Sequence, residues 1–272
     1  MNYNQYSVLM TMYKNDDVDN AKLGIDSMLK QTVKTNDFVL IVDGPLTCAQ
    51  EKMIAEYERK NECFRVIRLK RNVGLGKALA IGVDVCKNEM IARMDNDDIA
   101  LPNRCEKQLN FFKQRLELDV LGTNVIEFEK NPKQKKYVKK MPITSQDVKK
   151  YAKLRNPINH SSVMFKKSSI IDAGNYSSMR TNQDVELWVR MINKGFVIEN
   201  MPEELVYFRM DKDTYQRRKN KENIELLLEV WFQFYKKGYC SLIDYLLVFF
   251  IHKCINFFPL SAVHCLYGLI RK

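Results

Sequence analysis

Short apolar runs alternate with segments of helical spacing from Tyr6 to Phe128, and the order of these two periods organises the chain. Tyr6 to Met12 (YSVLMTM) reads as a strand, and Asp19 to Lys30 carries Leu23, Met28 and Leu29 at helical spacing. Asp37 to Asp43 (DFVLIVD) reads as a buried strand ended by the turn pair Gly44-Pro45. Thr47-Cys48-Ala49-Gln50 matches a capping box and starts a helix to about Lys60. A third strand at Phe64 to Leu69, a helix at Leu75 to Cys86 and a fourth strand at Glu89 to Met94 follow. A helix over Pro102 to Arg115, opened by Ile99-Ala100-Leu101-Pro102, and a fifth strand at Asp119 to Phe128 complete the series. Such alternation predicts an α/β fold, a mostly parallel sheet with helices on both faces, whose ligand crevice lies at the carboxyl ends of the strands.

Beyond Lys140 the pattern loosens. Short segments around Val163 to Phe165, a helix from about Gln183 to Asn193, and extended stretches near Phe196 to Ile198 and Leu205 to Arg209 are expected. From Ile224 to Tyr235 and from Leu242 to Ile270 the chain turns strongly apolar and aromatic, broken by Asp244, His252-Lys253, Asn256 and Pro259. Its cleanest run, Tyr245 to Ile251, is far short of the roughly 20 residues a spanning helix needs. Helices of this kind, with Lys253, Arg271 and Lys272 at their polar edges, suit the membrane interface; the other reading packs them on the domain or on a second subunit as a homodimer.

Composition narrows the partners. Hydrophobic content of 46% with 28% charged residues argues for a folded chain. Seven scattered cysteines with no C-x-x-C pair indicate neither a disulfide framework nor a zinc site, so a reducing compartment is expected. Met1 to Gln5 lacks the basic and then apolar segments of a signal peptide, which makes a cytoplasmic location the expectation. A net charge of +11 asks for an acidic partner, and nucleic acid, anionic lipid and nucleoside diphosphate all qualify. The charge gathers at Lys130, Lys133, Lys135, Lys136, Lys139 and Lys140, and at Arg217-Arg218-Lys219 with Lys221. No recognised nucleic-acid motif accompanies it.

Candidate chemistry sits at the strand ends. Asp95-Asn96-Asp97-Asp98 closes the fourth strand, and carboxylates there form a hard-oxygen site suited to Mg²⁺ or Mn²⁺ with phosphate as co-ligand. A metal-bound nucleotide is the first ligand to expect; an ordinary capped turn is the bland alternative. Arg71 to Ala78 (RNVGLGKA) joins a loop to a helix start, with glycines that let a ligand approach the backbone, but has neither the Walker nor the dinucleotide spacing.

The ordered set VLMTMY, IVDGP, NVGLGKA, DNDD and QDVELWVR resembles family 2 glycosyltransferases of the GT-A (Rossmann-like) fold over roughly Gln5 to Arg218. ARMDNDD, RNPINHSSVMFKKS, DAGNY and Tyr215-x-Arg217-Arg218 look like the bacterial branch, amylovoran-type enzymes included, that builds capsule, O-antigen and exopolysaccharide. The resemblance implies a GT-A domain over residues 1–220, with a nucleotide-binding half at 1–128 and an acceptor half at 129–220. An apolar helical region at 221–272 would associate with membrane or oligomerise. It further implies inverting transfer of one sugar from a UDP-sugar to a polyprenyl-diphosphate-linked acceptor at the cytoplasmic face of the inner membrane.

On that resemblance Tyr13 packs on the base, Asp43 accepts its imide proton, and Asn72, Gly74, Lys77, Arg93 and Asp95 complete the nucleotide-sugar contacts. Asp97 is the direct metal ligand with Asp95 beside it, and Asp98 supports them. Asp184 is the candidate base for the acceptor hydroxyl; its alternative role is a carboxylate at a helix N-terminus. The family more often carries Glu where Gln183 stands. His160, Gln183, Trp188, Arg209, Arg217 and Arg218 are candidates for acceptor or diphosphate contact, the arginines because guanidinium offers paired donors to phosphate. A sugar-phosphate nucleotidyltransferase and a non-catalytic nucleic-acid-binding module are the competing classes; the first lacks an early Gly-rich basic signature after Val8 to Met12.

Overall fold

The computed structural model describes residues 4–134, 137–210, 214, 216 and 220–255. Lys135, Lys136, Tyr215, Arg217, Arg218, Lys219 and the sequence after Ile255 lie outside them, and so do the roles expected of Arg217 and Arg218.

Strands β1 (Tyr6–Met12), β2 (Asp37–Val42), β3 (Phe64–Arg68) and β4 (Met90–Arg93) pair in parallel in the order β3-β2-β1-β4, joined by helices α1 (Val18–Leu29), α2 (Cys48–Lys60) and α3 (Leu75–Val85). Every residue of β2 is buried because helices cover both faces, which is why its sequence is continuously apolar. Its side chains still alternate: Phe38, Leu40 and Val42 join a core with α1 and α2, whereas Val39 and Ile41 join one with α3. Thr47 and Gln50 form the expected capping box at the start of α2.

The sheet continues through β5 (Ile99–Ala100), β6 (Leu118–Phe128), β7 (Tyr137–Lys139), β8 (Met164–Lys166) and β9 (Val197–Arg209), in the order β4-β8-β6-β9-β5 with β7 on β6. β8 is antiparallel to both β4 and β6, and β9 is parallel to β6, so β6 and β9 run the same way as the first four strands. Helix α4 (Arg104–Gln114) packs with α1 and α2 on one face; α5 (Ser145–Ala152), α6 (Lys167–Ala173) and α7 (Gln183–Asn193) pack on the other. Helix α8 (Lys221–Lys236) adds Ile224, Leu228, Trp231 and Phe234 to that second core, and α9 (Leu242–Ile255) lies against α8.

Two local expectations are corrected. Ile99 and Ala100 do not open a helix: they pair with Tyr207 and Val206 of β9, and α4 starts later, after Asn103. The extended stretches at 196–198 and 205–209 belong to one strand, β9, whose register on β6 shifts around Asn124.

Candidate active site

Because β1, β2 and β4 are parallel neighbours, the segments that leave their carboxyl ends meet along one rim of the sheet. After β1, half-buried Tyr13 donates its N–H to Asp16 Oδ2 at 2.8 Å. The same oxygen accepts Asn96 Nδ2 at 2.6 Å, tying this loop to the acidic turn after β4. Gln50 Nε2 braces the loop from α2 by donating to the carbonyls of Tyr13 and Asp16. Desolvation, with added repulsion from Asp97 and Asp95, pushes Asp16 up to about 6 against the Tyr13 N–H and the Asn96 amide. The sequence reading missed Asp16, although a carboxylate just past a parallel strand was the signal used for Asp43 and Asp95.

After β2, buried Asp43 accepts the N–H of Val73 at 2.7 Å on one oxygen and that of Gly74 at 3.0 Å on the other. Asn72 Nδ2 donates to the Asp43 carbonyl at 3.3 Å. Gly74 holds φ +88, a left-handed value that a side chain would strain, and it delivers the loop into α3. Asp43 is thus the tether of the glycine loop, and Asn72 and Lys77 stand exposed beside it.

Burial alternates along the acidic turn: Asp95 and Asp97 are half-exposed, whereas Asn96 and Asp98 are buried. Asp98 Oδ1 accepts the Arg209 N–H at 2.7 Å, and burial next to Asp97 and Asp95 raises its carboxyl well above the usual range. Arg209 secures the turn from behind. Its Nε donates to the Asp97 carbonyl at 2.9 Å and its Nη1 to the Glu129 carbonyl at 3.3 Å, with the guanidinium 4.6 Å from the Phe128 ring centroid. Arg93, 1% exposed, spends both terminal nitrogens on the Asp95 carboxylate. Burial opposes its charge, but the pairing with Asp95 more than offsets that and holds it up. It therefore reaches the rim through Asp95.

Asp184 arrives from the other half of the chain, in the first turn of α7. Its Oδ2 accepts Asn156 Nδ2 at 2.6 Å. Desolvation raises its carboxyl, and the Asn156 amide, backbone N–H groups and Arg93 hold it back. Arg93 thus acts on both Asp95 and Asp184, which brings the two acidic positions into one electrostatic unit. His160 Nε2 lies 2.9 Å from Tyr176 Oη, and burial, then Arg93, drives the imidazole well below its ordinary value, so it is neutral. Trp188 is fully buried one turn after Asp184, edge-on to His160 and Tyr176, so it belongs to the core beside Asp184. Gln183 is also buried, its Oε1 without a hydrogen-bond partner among the described residues. Asn156 and Tyr176 lay in motif strings but were not read as site residues.

Gly76 connects the two halves. A Cβ there would sit 2.1 Å from the Ser177 carbonyl oxygen and 3.0 Å from that of Met179, both in the segment that leads into α7. Gly76→Ala is expected to lower unfolding free energy by about 1–3 kcal/mol in urea titrations, because backbone must move to admit the methyl. Unchanged stability would mean that the segment carrying Asp184 is not held by this contact.

Known proteins resemble this chain in sequence and in fold. Amylovoran biosynthesis glycosyltransferase AmsE of Erwinia amylovora is 30% identical over 98% of this chain and 99% of its own length. A UDP-Gal:alpha-D-GlcNAc-diphosphoundecaprenol beta-1,3-galactosyltransferase of Escherichia coli is 31% identical over 94% of this chain and 93% of its own. Among solved structures, S. aureus TarS 1-349 in complex with UDP-GlcNAc superposes with a TM-score of 0.60 at 14% identity, over 85% of this chain and 73% of that one. The mannosyltransferase PcManGT of Pyrobaculum calidifontis, in complex with GDP-Man and Mn2+, superposes at 0.62 with 11% identity, over 83% and 62%. These likenesses establish the GT-A fold. Residues 7–170, more than half of the chain, match the family model described as Glycosyl transferase family 2, and the chain belongs to that family.

Proposed function

We propose that this glycosyltransferase moves one hexose from a UDP-sugar to a saccharide carried on polyprenyl diphosphate, with inversion, during assembly of a bacterial surface polysaccharide. Its place would be the cytoplasmic face of the inner membrane. The relatives support the substrate classes: one is named for amylovoran biosynthesis, the other for UDP-Gal and a diphosphoundecaprenol acceptor. What carries the reading in this chain is that one buried arginine, Arg93, pairs with Asp95 of the acidic turn and acts electrostatically on Asp184.

Half-exposed Asp97 and Asp95 suit a Mg²⁺ or Mn²⁺ ion that draws its remaining oxygen ligands from diphosphate and water. Among the described residues no group of three or more His, Cys, Asp or Glu is placed to hold a metal ion by itself, and such an ion would complete its shell with diphosphate oxygens and water. When bound, the ion neutralises charge that builds on the departing UDP. Asp97 would hold it, with Asp95 oriented beside it by Arg93. The loop at Asn72 to Gly74, fixed by Asp43, and Tyr13, fixed by Asp16, shape the nucleoside side. Asp184 takes the acceptor hydroxyl proton as that oxygen attacks the anomeric carbon from the face opposite UDP.

A coupled assay tests the class of reaction. Metal-dependent release of UDP from a UDP-sugar with a polyprenyl-diphosphate saccharide, and an inverted anomeric centre in the product by NMR, are expected. Pyrophosphate release from UTP, or retention of configuration, would overturn it.

A further inference from the structure

Helix α9 is apolar on two opposite faces, and only one of them is covered. At 3.6 residues per turn, Tyr245, Val248 and Phe249 fall on one side. Val248 is 1% exposed, and Tyr245 packs against Phe232 and Tyr235 of α8. The opposite side presents Ile243, Leu247, Phe250 and Ile251, with Leu242 and Leu246 at its edge, all exposed, with Ile243 at 71% and Phe250 at 60%. A helix apolar all round is ordinarily buried all round. Here half of it faces outward as one continuous strip, longer than the scattered single exposures found elsewhere on the protein.

Basic side chains border α9. Lys253 reaches back over Phe249 at the edge of the strip, and Lys236 of α8 lies over Phe232, whose ring packs on Tyr245. From the end of α5, exposed Lys153 accepts Trp231 Nε1 on its carbonyl, and exposed Arg155 acts electrostatically on His252 of α9. The one acid of the helix, Asp244, is turned to the N-terminus, where it accepts the N–H and hydroxyl of Ser241. Among the described residues no helix is long and apolar enough to cross a membrane.

An exposed apolar strip with a basic margin is complementary to the headgroup layer of an anionic bilayer, where apolar burial and attraction to lipid phosphate act together. We propose that the outer face of α9 is the membrane-docking surface of this enzyme, lying in the plane of the interface with Phe250 and Ile243 inserted. The strip would hold the catalytic rim beside a lipid-borne acceptor. That purpose rests on the acceptor class proposed above; the docking itself does not, because it is read without turnover.

The full-length protein is mixed with vesicles of neutral phosphatidylcholine, or of phosphatidylcholine with phosphatidylglycerol, and floated on a density gradient. Wild type is expected to float with the anionic vesicles, and less so as salt screens the basic margin. Leu247→Glu with Phe250→Glu, both at exposed positions, should cut the bound fraction about tenfold while the thermal melt is unchanged. Lys253→Glu with Arg155→Glu should remove the preference for anionic over neutral vesicles. Wild type that stays in solution overturns the proposal. A dimer in sedimentation velocity that the Leu247/Phe250 variant dissociates would assign the face to a second copy; a monomer that ignores vesicles would mean another segment covers it. UDP release that survives in the non-floating variant with a detergent-dispersed acceptor separates loss of docking from failure of the proposed reaction.

Discussion

Replacing Asp184 by asparagine is expected to silence transfer and leave the protein at least as stable as before. Removal of a general base costs about 10²–10⁴-fold in kcat. The substitution keeps shape and keeps a carbonyl oxygen for Asn156 Nδ2, so the anchoring hydrogen bond survives. Stability moves the other way because desolvation raises the Asp184 carboxyl above its ordinary value. A folded state that binds a proton more tightly than the unfolded chain has its full stability below the unfolded carboxylate range. It loses that contribution as pH rises through the raised folded value. Asparagine never ionises, so the variant escapes this loss, and its advantage in urea titrations should grow as pH rises from the ordinary carboxylate range through the raised folded value and then level off. In the wild type the same raised carboxyl sets the acid limb of kcat/KM above the usual aspartate range of about 3.9. Turnover like that of wild type in the variant would remove the assignment of the base.

How much of this was legible in the sequence depends on how local each cause is. β2 and α2 were readable because burial on both faces writes an unbroken apolar run and because a capping box lies within four residues. The acidic turn was readable for a similar reason: a buried strand followed at once by carboxylates needs no distant partner to be noticed. Ile99 and Ala100 were not readable as a strand, since their only strand character comes from pairing with Val206 and Tyr207. β9 looked like two fragments because Pro202, Glu203 and Glu204 interrupt its apolar pattern; the Pro202 carbonyl accepts Asn124 Nδ2 where the register on β6 shifts.

The site divides the same way. Asp43 is singled out by its strand end and Asp184 by the family resemblance, and the contacts the structure adds to them are long-range. Asp43 tethers the loop at Val73 and Gly74 from thirty residues away, and Asn156 steadies Asp184 across twenty-eight. Arg93 enters the sequence reading only as a nucleotide-sugar contact implied by the resemblance; its burial and its double engagement of Asp95 follow from packing that no spacing encodes. Asp16 is the one omission a consistent rule would have avoided.

The second large effect belongs to Asp97. Asp97→Ala is expected to lose about 10²–10³-fold in kcat, the range for removing one electrostatic stabiliser of a transition state. The turn should keep its shape, because Arg209 holds it through the backbone carbonyl of residue 97 and the carboxylate of Asp98, neither of which the substitution deletes. It also removes a like charge that helps raise Asp98 and Asp16, so the variant without ligands should melt no lower than wild type. With Mn²⁺ and UDP the order reverses. A ligand at about 100 times its Kd stabilises the folded state by ~2.7 kcal/mol through linkage, and wild type alone should show that gain. The crossing of the two melting temperatures on adding Mn²⁺ and UDP separates a role in holding the diphosphate from a role in holding the turn. A variant that is stabilised by Mn²⁺ and UDP as much as wild type would place the ion's protein ligands elsewhere, and with them the proposed division of labour between the acidic turn and Asp184.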